Sequence, residues 1–187
     1  MTNPRRERRA KLDERPIDHV VVLGANGTMG FGSGGLFTQA VPRVTFLARS
    51  REKAAEGVAA AVKQVRSSSL ASRTDVGDYD NDLESTLADA DLVFEALAED
   101  MDVKREMFER VDGARRPDSI VATVTSGISI NALCEGRSDS FRRNFLGLHF
   151  FNPPNVIVGT ELIVAATPTL RWLILSKHSP NCVWVAR

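Results

Sequence analysis

Val20-Val21-Val22-Leu23-Gly24-Ala25-Asn26-Gly27-Thr28-Met29-Gly30 decides the fold of this 187-residue chain. Four apolar residues in a row suit a strand buried on both faces, as in a parallel sheet. The run ends at Gly24 and passes through a glycine-rich stretch into a helix expected to run to about Ala40. A turn of this kind brings backbone amides close to a pyrophosphate, and the helix start adds partial positive charge. The spacing is GxxGxxG, one residue longer than the common GxGxxG form. After the first strand of a βαβ unit it marks Gly24, Asn26, Gly27, Thr28, Met29 and Gly30 as candidate dinucleotide contacts.

Outward from that turn, strand and helix patterns alternate. Residues 43–48 read as a second strand, and Ser50 as the cap of a helix with apolar residues at Ala54, Ala55, Val58, Ala59 and Val62. The polar stretch 67–82 reads as loop with at most one short strand. A helix at 83–88, a strand at 91–96, a helix at 101–114 and a strand at 119–125 follow. A helical turn at 129–133 and strands at 144–149 and 161–165 complete the pattern. The alternation predicts an α/β fold, a doubly wound, mostly parallel, Rossmann-like sheet with helices on both faces. Residues 17–166 form the expected dinucleotide-binding domain, preceded by a disordered basic arm at 1–16 with Arg5, Arg6, Arg8, Arg9 and Lys11, and followed by a tail at 167–187 to which no role is assigned.

Composition narrows the function classes. At 43% hydrophobic and 26% charged, the chain reads as a globular protein. Lys plus Arg and Asp plus Glu both total 24, so no net field favours nucleic acid or an anionic membrane. No apolar run reaches the roughly 20 residues of a spanning helix. The N-terminal arm lacks the apolar core of a secretory signal. Two cysteines, Cys134 and Cys182, without a CxxC pair suit a reducing cytoplasm and give no metal site.

At the end of the second strand, an acidic residue is the usual partner of the adenosine ribose. Here the strand ends Leu47-Ala48-Arg49-Ser50. Arg49 could meet a 2′-phosphate, which leaves NADP open beside NAD, or could stack on adenine or face water. Further on stands His149-Phe150-Phe151-Asn152-Pro153, with Glu161 twelve positions after the histidine. Histidine is the side chain best suited to take a proton near neutrality, and a carboxylate can orient its ring. The competing reading is a buried, inert histidine at a strand end.

Together these segments resemble the NAD-binding domain of the L-3-hydroxyacyl-CoA dehydrogenases. The matching pieces are the glycine turn, Ala90-Asp91-Leu92-Val93-Phe94-Glu95-Ala96 with Glu99, Val103-Lys104 and Phe108, then Thr125-Ser126, and Gly147-Leu148-His149-Phe150-Phe151-Asn152-Pro153. The likeness spans roughly residues 17–164. It implies hydride transfer between a 3-hydroxyacyl-CoA and NAD(P) in fatty-acid metabolism. It makes His149 the general base and Glu161 its partner, with Ser126 and Asn152 at the substrate oxygen and nicotinamide. Glu99 and Lys104 would help hold the cofactor. Three departures stand out. The family reads Ser-Asn-Thr-Ser where this chain has Thr123-Val124-Thr125-Ser126, and 67–82 is too short for the family's helical arm. The family's C-terminal helical domain is absent from 167–187, so a missing domain or partner chain would complete the site. The expectation is a folded dinucleotide binder with weak activity alone. A short-chain dehydrogenase is excluded, since its chemistry needs Tyr and Lys four apart and Tyr79 is followed by Leu83. A non-catalytic dinucleotide module is the alternative.

Overall fold

The structure is a computed structural model, and it describes residues 16–154, 159–165 and 182–185. The expected basic arm lies outside these residues except for its last position. Strands β1 (His19–Leu23), β2 (Arg43–Ala48), β3 (Thr74–Asp78), β4 (Leu92–Glu95), β5 (Ile120–Thr123), β6 (Phe145–Phe150), β7 (Thr160–Val164) and β8 (Cys182–Val185) form one sheet in the order β3-β2-β1-β4-β5-β6-β7-β8. Strands β3 to β6 pair in parallel across that order, β7 runs antiparallel to β6, and β8 is parallel to β7. The sheet therefore continues past residue 166: part of the unassigned tail supplies an edge strand.

Helices α1 (Thr28–Ala40), α2 (Arg51–Val65), α3 (Leu83–Leu87), α4 (Met101–Ala114), α5 (Ile130–Cys134) and α6 (Asp139–Arg143) cover the sheet. Its two faces carry separate cores. Val21, Leu23, Val93 and Val121 join one with Phe108, Phe141 and Phe145; Val20, Val22, Phe94 and Ala122 join the other with Phe46. Each core holds an aromatic trio, Phe108–Phe141–Phe145 on one face and Phe37–Phe94–Phe150 on the other. Adjacent residues of one strand serving opposite cores explains why β1 is a continuous apolar run and not an alternating one.

Two glycines fix how the first strand meets its surroundings. Gly24 has φ +78° and lies so close to the Ala96 carbonyl that a Cβ would overlap it. Gly32 in α1 faces Pro154, whose Cγ would stand 2.8 Å from an added Cβ, so the segment after β6 rests on the first helix.

At the ends of β4 and β5 the interior holds a charge. Glu95 and Lys104 are both 0% exposed, with Nζ donating to Glu95 Oε1 at 2.6 Å. The same oxygen accepts from the Leu97 amide at 2.6 Å, and Oε2 accepts from the Thr123 hydroxyl. One pair thereby ties β4, β5, α4 and the loop after β4. Asp100 caps α4, accepting from the amides of Asp102 and Val103, and so sets the turn that points Lys104 inward. Replacing Lys104 alone by Met leaves a buried carboxylate without its cation, which is expected to cost about 3–5 kcal/mol in urea unfolding. The Lys104→Met/Glu95→Gln double variant keeps an oxygen for the Leu97 amide and should recover most of that loss. A single variant as stable as the parent would remove the pair from its structural role.

Candidate active site

Two features lie at the carboxyl ends of the parallel strands, where ligands bind in open α/β sheets. The first is a cleft of about 520 Å³ lined in part by Gly24, Asn26, Gly27, Arg49, Tyr79 and Ala96. Gly27 caps α1 without a side-chain hydrogen bond, and the first turn holds no carboxylate. The amides at the start of this helix are thus left for an anion, and the donor set suits a diphosphate. Thr28 and Met29 open that first turn. Gly30, also in that first turn, is buried, and a Cβ there would overlap the Gly24 carbonyl, so it permits close packing of the turn.

The second feature surrounds His149, near the end of β6. In the antiparallel register His149 stands directly opposite Glu161 on β7, so the hairpin brings two residues twelve apart face to face. His149 Nδ1 lies 3.6 Å from Glu161 Oε2, an ion-pair separation too long for a hydrogen bond, and this nitrogen is buried without a hydrogen-bond partner. On the other side of the ring, Nε2 is 3.0 Å from the Ser126 hydroxyl. Phe151 packs edge-on against the imidazole, with centroids 5.5 Å apart. Asn152 is exposed, ahead of the cis bond to Pro153.

Ser126 is placed by Glu99. One oxygen of Glu99 accepts from the Ser126 amide at 3.0 Å, the Gly127 amide at 2.9 Å and the Thr125 hydroxyl. Burial opposes the charged form of Glu99, but these donors and the charge on Lys104 outweigh it and hold its pKa below the ordinary value. The loop after β5 is in effect wrapped round a carboxylate.

Of the residues singled out in the sequence, Ser126, His149 and Glu161 come together, and Asn152 lies exposed two residues after β6. Gly24, Asn26, Gly27 and Arg49 line the cleft. Lys104 differs from expectation: it is fully buried, donates to Glu95, and stands 3.7 Å from Glu99. It sits behind the cleft wall because the interior carboxylate of Glu95 needs a cation, and it reaches the site only through that wall. Val124, where the family has an amide, packs against the second core.

Sequence reasoning passed over three residues. Glu95 could have been noticed as a charge ending an apolar strand, nine before a lysine. Thr125, which bonds Glu99, has no distinguishing mark. Tyr79 receives the Gly24 amide at 2.8 Å, and burial pushes its hydroxyl up to about 12, so it stays neutral while holding the glycine turn. Nothing local in the polar stretch 67–82 signals that role.

Comparison with known proteins identifies the family. A sequence model described as "3-hydroxyacyl-CoA dehydrogenase, NAD binding domain" matches residues 19–170. A probable 3-hydroxyacyl-CoA dehydrogenase of Caenorhabditis elegans is 32% identical over 161 residues, covering 79% of this chain and 51% of that protein. One from Bacillus subtilis is 44% identical over 87 residues, covering 46% of this chain and 11% of that protein. The crystal structure of (S)-3-hydroxybutyryl-CoA dehydrogenase from Ralstonia eutropha superposes with a TM-score of 0.76 at 27% identity, over 92% of this chain and 64% of the other. The chain thus spans less than two thirds of the length of each of these relatives. With the family match covering most of its residues, the chain belongs to the 3-hydroxyacyl-CoA dehydrogenases, matching their NAD-binding domain.

Proposed function

We propose that the chain carries the dinucleotide site and the proton-transfer base of an enzyme that interconverts a 3-hydroxyacyl-CoA and the 3-ketoacyl-CoA, a step of fatty-acid metabolism. The observation that carries this reading is the Ser126–His149–Glu161 line: a base nitrogen with a hydroxyl on one side and a carboxylate behind. The amides opening α1, with Gly24, Asn26 and Gly27, would hold the diphosphate of NAD or NADP. When bound, the nicotinamide supplies the acceptor for the hydride that leaves the substrate's C3.

In the oxidative direction, His149 Nε2 accepts the proton of the 3-hydroxyl as the C–O bond becomes a carbonyl. Glu161 stabilises the imidazolium that results and keeps the ring facing the substrate oxygen. When the substrate hydroxyl takes the place of Ser126 on this nitrogen, the single Ser126 proton turns to the substrate oxygen, and the exposed amide of Asn152 offers a further donor. Glu99 holds the Ser126 backbone in place through its three donors. Among the described residues Ser126 and Asn152 are both open to solvent, which leaves the base accessible to the acyl-CoA.

Turnover is read at the reduced-nicotinamide absorbance band with acetoacetyl-CoA and NADH or NADPH. His149→Ala is expected to lower kcat by about 10²–10⁴-fold while binding of the reduced dinucleotide persists. Turnover unchanged in a folded His149→Ala protein would overturn the base assignment. Dinucleotide binding with no turnover in the parent, even at enzyme excess, would leave a non-catalytic module. Ser126→Ala should lower kcat by about tenfold, the worth of one net hydrogen bond, and Glu161→Gln should lower kcat more than it changes KM. A purely structural Ser126 would leave both constants unmoved.

A further inference from the structure

We infer that this chain selects a dinucleotide bearing a 2′-phosphate, and that Arg49 is the selecting residue; this rests on the dinucleotide reading of the cleft. The end of β2 is fixed against the glycine turn on one side and β3 on the other. The Leu47 carbonyl accepts from the Ala25 amide at 3.1 Å, and the Ala48 carbonyl accepts from the Tyr79 amide at 3.1 Å. Arg49 follows at once and is exposed in the same cleft as Gly24, Asn26 and Gly27. In this fold the residue at the end of the second strand meets the adenosine ribose: a carboxylate there binds the 2′-hydroxyl, whereas an arginine accommodates a 2′-phosphate.

The charges around Arg49 leave it available. Arg51 is taken by Asp82, with Nη2 donating at 2.6 Å, and lies 3.7 Å from Asp78. Arg110, the other arginine of the cleft, donates to Glu84 and to the Tyr79 carbonyl. Arg49 alone of the cleft's cations has no carboxylate partner among the described residues; its electrostatic neighbour is the Tyr79 hydroxyl, which burial keeps neutral. The carboxylates that could stand in for a ribose acid are engaged with backbone. Asp78 accepts from the amides of Asp80 and Asn81, and Asp82 from the amide of Asp78.

Three groups oppose a phosphate here. Glu52 opens α2, hydrogen-bonded to Ser50, and the cleft itself is lined by the pair Asp80 and Glu106, but all are exposed. Solvent and salt screen their repulsion, while a guanidinium against phosphate forms short, paired, charge-assisted hydrogen bonds. The direct contact wins. The same cation would find nothing to neutralise on the plain ribose of NAD.

The test reads binding, independent of turnover. NADPH and NADH are titrated by their fluorescence, and 2′,5′-ADP and 5′-AMP by calorimetry, on the parent chain and on Arg49→Asp and Arg49→Lys. The phosphorylated member of each pair is expected to bind about 10–100-fold more tightly to the parent, the worth of hydrogen bonds to a charged group. Rising salt should shrink that ratio, Arg49→Lys should keep part of it, and Arg49→Asp should abolish or reverse it with an unchanged circular dichroism spectrum. NADH binding as tightly as NADPH to the parent would overturn the selection while leaving the dinucleotide site in place. An Arg49→Asp chain that keeps the full ratio would overturn the role of Arg49. Failure of all four ligands to saturate would remove the dinucleotide reading itself.

Discussion

A buried carboxylate at the end of β4 is the constraint around which the site is arranged. Glu95 lies in the interior, and two charges in low dielectric are tolerated only when paired and fully hydrogen-bonded. Lys104 supplies the cation, Leu97 and Thr123 the further donors. Meeting those requirements fixes the phase of α4, the path of the chain leaving β4, and the end of β5. The Ala96 carbonyl that confines Gly24 belongs to that path, and the loop that presents Ser126 leaves from β5. Both halves of the candidate site, the glycine turn and the loop that carries Ser126, are therefore referenced to one ion pair.

The reversal of β7 gives the site its second half. A parallel strand next to β6 would need a crossover and would not place a residue twelve positions on across from His149. The antiparallel pairing does so by register alone, and the same pairing sets Phe150 opposite Thr160. Phe150 in turn joins Phe37 of α1 and Phe94 of β4. Phe150 is thus anchored in the core while its neighbour His149 remains partly open.

The first βαβ unit was readable because its signals are local, an apolar run and a glycine turn, and the helix after it because Ser50 caps its start. The bounds of α4 match the expected 101–114, and the structure adds Asp100 as its cap. Helix α6 was not anticipated, since five residues capped by Ser138 carry no periodicity. Strand direction also escaped, because β7 and a parallel strand share one apolar pattern. In the site, His149 and Glu161 were visible as a spaced motif, and Ser126 through the family resemblance. The burial of Lys104 was not, because it depends on Glu95 meeting it through the packing of α4 on the sheet. Tyr79 was hidden for a related reason: its contact with Gly24 bridges 55 positions and follows from β3 lying beside β2.

The close approach of Gly32 and Pro154 joins the two halves of the candidate site mechanically. A side chain at 32 would have to displace the proline ring, so the glycine-rich first helix and the segment after β6 hold each other in position, although 122 positions separate them. Bulk added at the first position would have to be met by a change at the second.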